Sequence, residues 1–175
     1  MSFKVEDGTG LPDATSYVDV AFADAYFARV GFTAWASMST ANKEMYLENG
    51  SEYADLRWGM RLKASLLKLT QALQFPRSGL SDRYGRPVIG VPTDWKKAVC
   101  EYTMQSTKGP LLGSTTSSEA GLKKKKTVVG PITTEKEFTT DSSSSSTYTS
   151  YPKADMLVKA YLKAFSGNGG SVMRN

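Results

Sequence analysis

Apolar residues first fall into a regular pattern after a polar opening. Residues 3 to 11 read as a short extended lead-in, closed by turns at Asp7-Gly8 and at Gly10-Leu11-Pro12-Asp13. From there Val20, Ala21, Phe22, Ala25, Tyr26, Phe27 and Val30 make a helical stripe, with Asp19 as its cap and Gly31 as its stop. Ser39 or Thr40 caps a second helix that runs to about Trp58 on Met45, Leu47, Tyr53, Ala54, Leu56 and Trp58. Gly50 interrupts it at a cost of about 1 kcal/mol relative to Ala, which predicts a bend or a close helix contact there. Ser65 to Gln74 predicts a further amphipathic piece. Pro92-Thr93-Asp94 then opens a third long helix to about Lys108, with Trp95, Ala98, Val99, Tyr102 and Met104 inward and Gly109-Pro110 as the stop.

Beyond residue 112 the character changes. Residues 113 to 121 are rich in Ser, Thr and Gly, Lys123 to Lys126 are a basic run, and the alternation up to Thr140 predicts a hairpin that turns at Gly130-Pro131. Asp141 to Ser150 reads as a Ser/Thr linker, Pro152 to Phe165 as a final helix, and GNGGSVMRN as a flexible tail. The expected fold class is mainly α: a small helical bundle over residues 1–112, an inserted β-hairpin with its linker over 113–150, and a tethered C-terminal helix over 151–175.

One stretch resists both periods. QALQFPRSGLSDRYGRPVIGVP, residues 71–92, holds three prolines, three glycines and three arginines, so it forms neither a core helix nor a central strand. It is a long loop between two helical segments.

Composition narrows the function. The 175 residues suit one domain with extensions, and 40% apolar with 22% charged residues lies in the globular range. The chain has no histidine, which removes the commonest general base and metal ligand, and the single cysteine, Cys100, sits among apolar helical residues as a buried hydrophobe. Phosphate-binding glycine loops, metal-ligand spacings and nucleophile elbows are lacking, and Asp24, Glu44, Glu48, Glu52 and Asp55 fit a solvated helix face. The reading is a non-enzyme without a cofactor or metal. Apolar runs fall well short of the roughly 20 residues that span a bilayer, and the polar opening is no signal peptide, so no membrane partner is expected and the chain is expected to be soluble and made in the cytoplasm.

Charge is uneven. Residues 1–60 hold 4 basic and 9 acidic residues, and residues 61–110 hold 9 and 3. The acidic front could attract the basic middle of another copy, or the basic part could face nucleic acid. Lys123, Lys124, Lys125 and Lys126 cannot all be buried, and serve either as a solubilising hairpin edge or as phosphate contacts. In the loop, Arg77, Arg83 and Arg86 could touch phosphate while Phe75 or Tyr84 stacks on bases. The alternative is structural: Phe75 anchors the loop in the core and Arg77 braces it.

Several pieces together carry a resemblance. VEDGTGLPDATSYVDVAFADAYFARVGFTAW, QALQFPRSGLSDRYGRPV, VPTDWKKAVCEYTM, KKKKTVVGPI and YPKADMLVKAYL, in that order, are similar to a family of tailed-bacteriophage proteins. The family carries the label "DnaT-like single-strand DNA-binding protein", and in size and layout it resembles head-tail connector (adaptor) proteins. Two functions follow from it. The first is a connector subunit in the virion neck: a ring of itself, twelve copies by resemblance, docked between the portal protein and a downstream tail or nozzle protein, with packaged double-stranded DNA passing through unread. The second is a single-strand DNA-binding module; an enzyme or regulator is a remaining class. A modest core with several long polar excursions makes more sense among neighbours, which favours the connector. On that reading Phe75, Pro76, Arg77, Asp82, Arg83, Tyr84, Arg86, Met156, Tyr161, Val172 and Met173 make subunit or portal contacts, and Lys123 to Lys126 face the DNA channel.

Overall fold

A computed structural model describes residues 2–82, 84–112, 124–129, 132–137 and 150–163. It is mainly helical, with a two-stranded antiparallel hairpin. Two compact units are present: Met1–Leu111 with Ser150–Asn175, and Leu112–Thr149.

In the first unit, helix α1 spans Val20–Val30. The Asp19 carboxylate accepts the Phe22 N–H at its start, and Gly31 closes it with φ +76°, a left-handed conformation that suits glycine. Helix α2 spans Thr40–Trp58 behind a Ser39 cap, and α3 spans Thr93–Ser106. The expected close contact at Gly50 is real. A Cβ built there would lie 2.4 Å from Thr103 Oγ1 and 3.0 Å from the Val99 carbonyl oxygen, so only glycine lets α2 and α3 approach this closely.

The Ser65–Gln74 stretch is not an amphipathic helix. Ser65–Leu66 forms a two-residue strand, β1, paired antiparallel with β2 at Arg77–Ser78, and the residues between are irregular. Leu67 and Leu69 are 45% and 96% exposed, so the apolar residues that suggested the helix do not bury a common face.

The last helix, α4, spans Pro152–Val158 and continues as a 3-10 turn over Lys159–Tyr161, shorter than the sequence predicts. It is ionically fixed to the same unit. Arg57 Nη2 on α2 meets Asp155 Oδ2 at 2.7 Å, Tyr102 on α3 donates to Asp155 Oδ1 at 2.9 Å, and Lys153 Nζ reaches the buried Glu101 at 2.5 Å. The core itself is aromatic. Trp95 is fully buried, 4.7 Å from Phe75 and edge-on to Tyr17 at 5.8 Å between ring centres. Glu6, also buried, accepts the N–H groups of Gly8, Gly10 and Leu11 and so holds the opening turn together.

The second unit is a hairpin of β3, Lys124–Val129, and β4, Ile132–Glu137. Its register sets Lys124 opposite Glu137, Lys125 opposite Lys136 and Lys126 opposite Glu135. The expected hairpin strands are present over these residues; the turn residues Gly130 and Pro131, and Phe138 to Thr140, lie outside the described residues.

Candidate nucleic-acid interface

The long loop divides into an inward half and an outward half. Phe75, expected at a contact, is 0% exposed, packed on Trp95, Tyr17 and Tyr161; Pro76 is buried with it. Neither can touch a partner. Arg77 is turned inward as well: its guanidinium donates to the carbonyl oxygens of Gln74 at 3.0 Å, Ala64 at 2.8 Å and Gly59 at 3.3 Å, and to Gln74 Oε1 at 2.7 Å. A planar fork with five donors suits this work, and it leaves little for phosphate. Next to it, the half-buried Asp55 accepts from Tyr17 OH at 2.5 Å and from the Gln74 N–H at 3.0 Å, while Tyr17 OH accepts the Phe75 N–H. Burial pushes the Asp55 carboxyl up to about 7 against these two hydrogen bonds. Asp55 is therefore a clamp on the loop and not part of a solvated helix face.

The outward half begins at Asp82. Its Oδ1 accepts the N–H groups of Tyr84 and Arg86, and its Oδ2 accepts from Arg86 Nε at 2.7 Å. Burial, the largest single influence, raises the Asp82 carboxyl, but the Arg86 side chain and these N–H groups together outweigh it and hold it below its usual range. The turn thus formed presents Tyr84 with 74% of its surface exposed, the Arg86 guanidinium 5.3 Å from its ring centre. Behind them is a cavity of about 640 Å³, lined among others by Tyr84, Pro87, Pro92, Asp94 and Tyr161. Tyr161 is 7% exposed, so it serves as a wall and not as a free contact. Met156 is 75% exposed on α4. Arg83, Val172, Met173 and Lys123 lie outside the described residues, and Lys124 to Lys126 lie in the hairpin unit.

A basic strip borders the cavity. Leu62 and Leu162 form an antiparallel bridge, with Lys63 N–H donating to the Tyr161 carbonyl and Lys163 N–H to the Arg61 carbonyl. Both leucines are buried, and Arg61, Lys63, Lys159 and Lys163 around them are exposed. Lys63 Nζ reaches the carbonyl of Ala160, a cavity residue, and Arg61 lies over the Trp58 ring at 5.2 Å. None of the four has a carboxylate at ion-pair distance among the described residues. Like charges placed opposite each other cost stability unless an anion comes between them. Sequence reasoning missed this strip. A signal existed, since no acidic residue occurs between Asp55 and Asp82 or after Asp155, but only the bridge brings the two acid-free segments together.

Residues 1–175, the whole chain, match a family model described as "Putative DnaT-like ssDNA binding protein". The chain belongs to this family. No curated protein and no solved structure matches it. Family membership corrects the connector reading. The match that spans this DnaT-like chain describes single-strand DNA binding, and nothing in the comparisons points to a head-tail connector; the ring, the portal and tail partners, the passing duplex and a structural role in the virion go with it. The physical reason is visible in the loop. Its elaborate sequence suggested docking onto neighbours, whereas Phe75, Pro76 and Arg77 are satisfied within their own chain.

Proposed function

We propose that this protein binds single-stranded DNA through the outward face of the 82–86 turn and the adjoining basic strip. The observation that carries the reading is the Tyr84 ring, 74% exposed at a cavity whose lining also includes Ala160, the residue whose carbonyl Lys63 of the basic strip reaches. Single-strand binders combine an exposed aromatic platform with a positive track along the backbone, because every base has a π-face and every nucleotide a phosphate. Tyr84 supplies the platform. Arg61, Lys63, Lys159 and Lys163 supply the track. The family description supports the same substrate.

The test is fluorescence anisotropy with a labelled single strand and its duplex, at low and at moderate salt. Stacking is worth about 1–3 kcal/mol per base, so Tyr84→Ala should weaken single-strand binding about five- to a hundredfold at both salt concentrations. Changing the four strip cations to Ser should lower the slope of log K against log salt by about 3, since each neutralised phosphate of a single strand contributes about 0.7. Binding that prefers duplex, or that ignores Tyr84, would overturn the proposal.

A further inference from the structure

The cavity behind Tyr84 is lined by groups that donate and groups that accept, and they are not equally engaged. On the donor side, Arg86 places its Nε and Nη2 2.7 Å from Asp82 Oδ2 and keeps Nη1 as its remaining donor. Asp82 is committed in turn, with Oδ1 taking two backbone N–H groups. Asp94 differs. Its Oδ1 meets Lys97 Nζ at 3.0 Å, while Oδ2 has no donor among the described residues. Elsewhere the wall is apolar or aromatic at Pro87, Val88, Pro92 and Tyr161, with the Thr93 hydroxyl as a further polar group. At about 640 Å³ the space lies in the range of sites that hold small ligands, roughly 300–1,000 Å³. A base stacked at Tyr84 would therefore turn its edge toward a carboxylate with spare acceptor capacity.

We infer that this cavity is a base-reading subsite that favours bases with an exocyclic amino group, with Asp94 as the residue that reads it. Carboxylates accept from the cytosine N4 amino group; uracil and thymine carry an oxygen acceptor at that position, which a carboxylate repels. The inference rests on the single-strand reading, and it adds a preference that stacking alone does not give.

The test uses the full chain and two labelled oligonucleotides of equal length, oligo(dC) and oligo(dU). The pair avoids the thymine methyl group and differs mainly along the edge that Asp94 would read. Oligo(dC) should bind about three- to tenfold more tightly, the worth of one such hydrogen bond. Asp94→Asn, which offers a donor as well as an acceptor, should bring the ratio close to one while circular dichroism stays unchanged. Equal binding of both oligonucleotides, with Tyr84→Ala weakening both, would overturn the inference and leave the single-strand reading intact. A preference for oligo(dU) would also overturn it, and would assign the base edge to the uncapped N–H groups at the start of α3. If neither oligonucleotide binds, the single-strand reading fails; titration with dCMP and dUMP followed by NMR then tests the cavity alone. Tyr84 shifts specific to dCMP would uphold the subsite, and equal or absent shifts would overturn it.

Discussion

Replacing Gly50 with Ala adds one methyl group at the point where α2 and α3 meet. That methyl would lie 2.4 Å from Thr103 Oγ1, 3.0 Å from the Thr103 backbone nitrogen and 3.0 Å from the Val99 carbonyl oxygen. Two of these three neighbours are main-chain atoms of α3, so no rotamer change relieves them and the helices must separate. Overpacking of this kind costs about 1–3 kcal/mol and sometimes more, against a gain of about 1 kcal/mol from alanine's higher helix propensity. The geometry puts the cost at or above the upper end of that range, for a net loss of about 2 kcal/mol. Thr103→Ala provides the control. It removes the tightest contact together with a buried hydroxyl that has no hydrogen-bond partner among the described residues, so Gly50→Ala should cost less in that background, by about 1 kcal/mol as a coupling between touching residues. Urea unfolding of the wild type, both single variants and the double variant measures the cycle. A neutral or stabilising Gly50→Ala would show that α2 and α3 separate freely and that the helix contact does not require glycine.

Two further outcomes follow from the loop clamps. Burial raises the Asp55 carboxyl from its ordinary 3.8 to about 7, so the folded chain holds a proton there that the unfolded chain releases. The stability this gives is fully present below about pH 4 and is lost as pH rises to about 7, by about 4 kcal/mol at most. Asp24 and Asp82, both lowered, act in the opposite sense but below about pH 4. The urea midpoint should thus fall between pH 4 and 7, less so in Asp55→Asn, and a flat or rising wild-type profile would contradict the clamp. Arg77→Lys should destabilise about as much as Arg77→Ala, by about 1.5–3 kcal/mol, because an ammonium cannot bond the carbonyls of Gly59, Ala64 and Gln74 together. Thermal melts measure it, and a Lys variant as stable as wild type would refute the bracing role.

The parts of this protein that were legible in sequence are those in which local chemistry decides. Asp19, Gly31 and Ser39 mark helix ends because a capping oxygen or a left-handed glycine acts within a turn of itself. Gly50 signalled a close approach because glycine within a helix needs a reason. The Ser65–Gln74 stretch misled because its leucines have helical spacing, while Gln71 spends its amide on the carbonyls of Leu73 and Pro76 and holds an irregular path. The site was half legible. Tyr84 and Arg86 stood out by residue type, but nothing local shows that Phe75 and Arg77, a few positions earlier, point the other way. The basic strip needed the pairing of Leu62 with Leu162, across a hundred residues of chain.

The attachment of α4 sets the logic of the middle segment. The chain leaves the helical unit at Leu111 and rejoins it at Ser150, and the first residue after its return holds the point of exit: the Tyr151 hydroxyl donates to the Leu111 carbonyl at 3.4 Å, with its ring against Tyr53 and Tyr102. Departure and return are therefore pinned together by groups that belong to the helical unit. Whatever lies between them is, for the core, a closed detour. Segments inserted at such a point can lengthen, shorten or change in composition without disturbing the packing beneath them, so residues 112 to 149 can vary in sequence while the Tyr84 face keeps its shape.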